Sequence, residues 1–237
     1  MKRRALAILL MILPAMTLTA QDLKGTPSPS YNFNWGLKMG FAATGTYLTK
    51  AEIDGHKLPD YTQDTQVGNF IALQLRITAK SFIFQTGVGL NSNRSSFFVD
   101  KNGWDSEATT RDEMGCSFSA LSMSIPLQIG YHVVDRTPYR MTIFTGPRLR
   151  YAPSQYYTVE YTNTVPYEYT DKPTELTLGW TAGLSIHIGR TFLDFEYEAT
   201  INNVSHSMYE TTGNASAPSI TLDRRVSIIS FSYGIMF

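Results

Sequence analysis

From Phe33 to the last residue, bulky apolar side chains recur at every second position. This is the periodicity of strands with two unlike faces. The first run sets Phe33, Trp35, Leu37, Met39 and Phe41 against Asn34, Gly36, Lys38, Gly40 and Ala42. Similar runs fall at 71–78, 82–91, 121–132, 139–151, 176–188, 193–201 and 229–237, so eight strands are expected. Across all eight, the bulky face carries no Lys, Arg, Asp or Glu, whereas the opposite face is rich in Gly, Ser, Thr and Gln.

The connections alternate in length. Residues 45–66, 92–116, 152–174 and 202–223 are long and polar, whereas 79–81, 133–138 and 189–190 are short. Long loops at one end and tight turns at the other are the pattern of an up-and-down transmembrane barrel. An even strand number brings both ends of the barrel sequence to the short-turn side, which is periplasmic in such barrels. The reading is all-β: a single eight-stranded antiparallel transmembrane barrel over 33–237.

A soluble barrel would share the period but turn its apolar face inward. Here the apolar face is continuous and uncharged, and the small polar face suits a narrow lumen. Aromatic residues also cluster near predicted strand ends: Trp35, Phe82, Tyr131, Tyr139, Tyr233 and Phe237 at the short-turn end, Tyr47 and Tyr151 at the other. Two such girdles mark lipid–water interfaces. Outer-membrane lipid is therefore the expected partner of the bulky face. Pro126 and Pro147 each remove a ladder donor, so both are expected to sit at local bulges.

The N-terminus adds a route to that membrane. Lys2, Arg3 and Arg4 precede an apolar stretch from Ala5 to about Leu18, and Thr19 and Ala20 follow. This reads as a signal peptide over 1–20, cut after Ala20, followed by a periplasmic segment over 21–32. No later run is long and apolar enough for a transmembrane helix. The formal net charge is zero, which gives no reason to expect nucleic acid as a partner. Cys116 is the single cysteine, so no disulfide forms within the chain.

Four segments carry a family resemblance: Trp35-Gly36-Leu37-Lys38-Met39-Gly40, Ser124-Ile125-Pro126-Leu127, Gly146-Pro147, and the closing Tyr233-Gly234-Ile235-Met236-Phe237. In this order they resemble the PorT-type porin family of outer-membrane barrels common in Bacteroidota. The resemblance implies an eight-stranded barrel in a Gram-negative outer membrane. It also implies that Phe231, Tyr233 and Phe237 form the signal read by the barrel assembly machinery. The family label "porin" does not establish transport, and the secretion and gliding role of the family founder is carried by none of these residues.

Candidate chemistry is sparse. His206, Ser207 and Glu210 give only a loose version of a hydrolase site. His56 with Asp54 and Asp60 matches no standard metal site. Asp100, Asn102 and Asp105 resemble a calcium loop without its closing glutamate. No catalytic residue, metal or cofactor is assigned. The pattern with most content is on the lumen face: Lys38, Arg76, Arg140, Arg148 and Arg150 opposite Asp194, Glu196, Glu198 and Glu175. An eight-stranded barrel is just wide enough for side chains to fill. These charges are expected to form an ion-pair network; the alternative is a narrow selective channel.

Tyr156, Tyr157, Tyr161, Tyr167 and Tyr169 crowd the third long loop and form a possible recognition surface for an unknown extracellular ligand. The simpler reading extends strand five upward as a hairpin. The function expected is a non-enzymatic outer-membrane barrel displaying four loops. Alternatives are a narrow porin and a lipid-modifying enzyme.

Overall fold

The computed structural model describes residues 31–53, 55–57, 61–100, 113–136, 138–161, 169–171, 174–204, 208–210 and 219–237. The expected signal peptide lies outside the described residues. Eight long strands dominate: β1 Tyr31–Ile53, β2 Gln66–Ala79, β3 Phe82–Asp100, β4 Glu113–Arg136, β5 Tyr139–Tyr161, β6 Leu176–Ile188, β7 Thr191–Thr200 and β8 Ile220–Met236. Each pairs antiparallel with its sequence neighbour, and β8 returns to β1 from Gly36↔Met236 to Ile53↔Ile220. The sheet is closed, so each of the eight long strands is paired on both sides. Closure is what a hydrocarbon solvent requires, because an exposed ladder group there costs several kcal/mol.

The two faces separate as the period-two pattern requires. Phe41 is 66% exposed and Leu127 49%, as befits side chains that meet lipid rather than water. Inward neighbours such as Gln85, Gln128 and Thr181 are buried.

Several strands run further than the apolar alternation does. β1 continues to Ile53, β3 to Asp100 and β5 to Tyr161, and β8 starts at Ile220 rather than 229. The expected loops 45–66, 92–116, 152–174 and 202–223 are therefore shorter. Beyond the membrane the outer face meets water instead of lipid, so it no longer needs apolar bulk and the alternation fades while the hydrogen-bond ladder continues. Short strands at His56–Lys57, Tyr61–Asp64, Tyr169–Asp171 and Met208–Glu210 join the same end.

The prolines do not make bulges, contrary to expectation. β4 and β5 keep one register from Pro126↔Arg148 to Ile129↔Thr145, and the irregularities fall at Leu121/Met123 and His132/Val134. Threonine hydroxyls make local repairs. Thr86 Oγ1 donates to the Pro126 carbonyl at 2.8 Å, and Thr181 Oγ1 donates to the Gly146 carbonyl at 2.9 Å. Gly146 itself is at φ +156°, and a Cβ there would run into the Leu127 carbonyl oxygen. Only glycine fits that approach.

Candidate functional site

A narrow closed sheet points every second side chain at one axis, so the lumen is the place where distant strands meet. Its filling comes in three layers. At the short-turn end Ile83, Phe144 and Phe192 are almost fully buried. Glycines on adjacent strands make room for the rings. A Cβ on Gly183 would meet the Phe144 ring, and one on Gly234 the Phe192 ring. At the loop end Ala120, Ala152, Val204, Leu222, Val226 and Ile228 are buried.

Between these apolar layers lies a charged one. Lys38 Nζ donates to Asp194 Oδ2 at 3.0 Å and also to Glu196. Arg148 bonds Glu196 and, at 3.1 Å, Glu198. Arg150 donates to Glu198 Oε2 at 2.7 Å and to Ser122 Oγ at 3.1 Å. Three cations thus face three carboxylates, and Arg148 shares both glutamates, as a guanidinium fork can. β5 and β7 are separated by β6, so these bonds cross the lumen.

The network continues downward. Ser185 Oγ donates to Asp194 Oδ1 at 2.5 Å. Arg76 donates to Gln85 Oε1 at 2.9 Å, contacts His187, and lies 5.9 Å from the Phe192 ring centre. Gln85 Nε2 donates to Gln128 at 2.7 Å, and Gln128 Nε2 donates to Thr181 at 2.7 Å. Small cavities remain between these described side chains. One of about 30 Å³ touches Lys38, Gln85, Gln128, Arg148 and Glu196. One of about 40 Å³ touches Thr44, Arg150, Ala152, Val204 and Val226. A water needs roughly 10–15 Å³ on this measure, so each has room for only a few.

Two of the expected lumen charges are elsewhere. Arg140 Nε donates to Asp135 at 2.8 Å, and both side chains are nearly half exposed beside the β4–β5 turn. A position two residues past a two-residue turn is at the rim, where water competes with the lumen. Glu175 is exposed just before β6, and its carbonyl accepts from the Ala152 amide at 2.7 Å. Arg76 is inside and 3% exposed, but its direct partners are Gln85 and His187 rather than Asp194.

The closing aromatics face outward. Phe237 stacks on Trp35 with ring centres 4.5 Å apart, and its amide donates to the Trp35 carbonyl at 2.7 Å. Phe231 and Tyr233 are exposed on the same wall. Tyr156, Tyr157 and Tyr161 lie within β5, opposite Ser119, Phe118 and Met114, and Tyr169 pairs with Glu210. Tyr167 is outside the described residues, as are His206, Ser207, Asp54, Asp60, Asn102 and Asp105.

Sequence reading missed Phe192 and Arg224, both buried. A signal existed for each. Phe192 is out of phase with Leu193, and Leu222, Arg224, Val226 and Ile228 alternate with Thr221, Asp223, Arg225 and Ser227.

Comparison with known proteins bears on this architecture. A family described as "Outer membrane protein beta-barrel domain" matches residues 19–206. No curated protein matches the sequence. Among solved structures, the chain is similar to the outer membrane protein OprG from Pseudomonas aeruginosa. Identity is 12% and the TM-score 0.46, over 86% of this chain and 95% of that one. It is also similar to Ail, the attachment invasion locus protein of Yersinia pestis, solved with the heparin analogue sucrose octasulfate. There identity is 13% and the TM-score 0.37, over 87% of this chain and 99% of that one. The outer membrane protease OmpT from Escherichia coli matches at 9% identity and a TM-score of 0.41, over 92% of this chain and 100% of that one. Likeness at this level carries no functional argument.

Proposed function

The chain belongs to the outer membrane protein beta-barrel domain family, and from that premise we propose that it is a closed, non-enzymatic barrel that acts through what its loop end presents. The observation that carries this reading is the bonded lumen. Lys38, Arg148 and Arg150 pair with Asp194, Glu196 and Glu198 between two apolar layers. A solute would have to break buried ion pairs, and leaving one partner unpaired costs about 3–5 kcal/mol. The extension of β1, β3 and β5 past the apolar band supports the second half of the reading, because these hairpins carry the chain away from the membrane surface.

In finer detail, the chain is a PorT-type protein of a Bacteroidota outer membrane. It is exported through a signal peptide cut after Ala20 and inserted by the assembly machinery that reads Phe231, Tyr233 and Phe237. The tyrosines at 156, 157, 161, 167 and 169 form its recognition surface toward an extracellular ligand.

Planar-bilayer conductance of the refolded protein tests the closed lumen. The expected trace is flat, with channels appearing only when Glu196 and Glu198 are removed together. Steady wild-type conductance would replace this reading with the narrow porin.

A further inference from the structure

The short-turn end of the barrel carries a pattern that the lumen does not explain. All three turns there are two residues long, between the pairs Ala79↔Phe82, Arg136↔Tyr139 and Ile188↔Thr191. Two of them hold an exposed cation, Lys80 and Arg190, and the third is flanked by exposed Arg136, the last residue of β4. Among the described residues no ion pair engages any of the three. The nearby acid Asp135 is taken by Arg140. Because the turns alternate with strands, the cations are spread around the rim rather than gathered at one point.

Two further observations give this ring a direction. The first is Lys80, which sits at φ +53°, the left-handed region that disfavours side chains other than Gly, Asn and Asp. In the β6–β7 turn, glycine occupies the corresponding first position as Gly189 at φ +62°, and the cation follows it as Arg190. The β2–β3 turn thus holds a lysine where glycine is unstrained.

The second is depth. Outward-facing Phe82 and Tyr139 are the first residues after two of these turns, and Phe82 meets Tyr131 edge-on with ring centres 5.3 Å apart. Exposed aromatics at strand ends mark the headgroup level. A two-residue turn cannot reach beyond it.

We infer that this rim binds the phosphate headgroups of anionic phospholipids in the periplasmic leaflet, and so sets the barrel's depth and orientation. A lipid surface fits better than a polyanion of the periplasmic space, because the cations are held level with the girdle. The two ends of the barrel also differ in sign. In the segments 50–65, 100–113 and 160–175, acids outnumber bases. An anionic surface would therefore meet attraction at the short turns and repulsion at the loops.

The test uses the full chain folded into phosphatidylcholine vesicles containing spin-labelled phosphatidylglycerol or spin-labelled phosphatidylcholine. The motionally restricted fraction reports selectivity. Wild type should retain phosphatidylglycerol several-fold better, with each cation contributing up to roughly five-fold. The preference should shrink at high salt, as exposed charges are screened. The triple variant Lys80→Asn, Arg136→Gln, Arg190→Gln should lose it while keeping the heat-modifiable mobility of a folded barrel. Asparagine tolerates the positive φ at position 80. If the triple variant does not fold, each single change should lower the selectivity in part. Equal retention of both lipids by wild type would overturn the proposal. So would a preference that survives the triple change, or capture of wild type by isolated peptidoglycan without any lipid preference.

Discussion

The two faces of the barrel wall obey different rules. On the outward face, Leu37, Leu73, Leu127 and Phe231 do the same job, and each could stand in for another, because lipid asks only for apolar bulk. On the inward face residues answer to particular partners, several of them two strands away: Lys38 to Asp194, Arg148 to Glu196, Gln128 to Thr181. Even the glycines there are specific, since Gly183 and Gly234 lie under the rings of Phe144 and Phe192. A uniform solvent produces a uniform face, whereas a packed lumen produces one that is unlike at each position.

The largest effect should come from breaking the inward face. Glu196→Ala with Glu198→Ala strands Arg148 beside Lys38 and Arg150, all with little exposure. A buried charge left without its partner costs about 3–5 kcal/mol. Urea titration of the folded, heat-modifiable band should show that loss; an unchanged midpoint would mean that water already solvates these arginines. Next is the outward face. Leu127→Arg puts a cation toward the hydrocarbon, at about 2–4 kcal/mol near mid-bilayer. Leu127→Phe, which keeps bulk and polarity, should be nearly silent in the same titration, and this contrast is the sharpest test of the uniform-face claim.

A smaller loss is expected for Gly234→Ala, because the new methyl must displace the Phe192 ring. Overpacking of this kind costs about 1–3 kcal/mol, and Phe192→Leu in the same chain should restore part of it. Thr86→Val removes the hydroxyl that donates to the Pro126 carbonyl and should cost about 1 kcal/mol, read as a small midpoint shift. The smallest change is expected at Arg140→Gln, where an exposed pair with Asp135 contributes less than about 1 kcal/mol. A large effect there would return Arg140 to the lumen network from which the geometry removes it.

How far these features could be read from the chain varies with their physics. The outward residues were legible, since Phe33 through Phe41 declare a face with no knowledge of neighbours. Strand length was not. β1 runs on to Ile53 through Thr49 and Lys50, which are neighbours on opposite faces and both exposed, so alternation carries no information there. Nor were the prolines legible. Pro126 looks like a bulge until Thr86, on the neighbouring strand, is seen to satisfy its carbonyl.

The sequence alone determined the period, the strand number, the sign of each face and the set of charges that could enter the lumen, because these depend only on which side of a single pleat a residue takes. Tertiary structure alone decided who meets whom. Arg76 and Arg140 are both inward by phase. One is buried against Gln85 and His187, and the other turns to Asp135 at the rim. That choice depends on the stagger between strands as the sheet closes, which sets the height of each residue along the barrel axis. Stagger is a property of the closed ring, and no single strand encodes it.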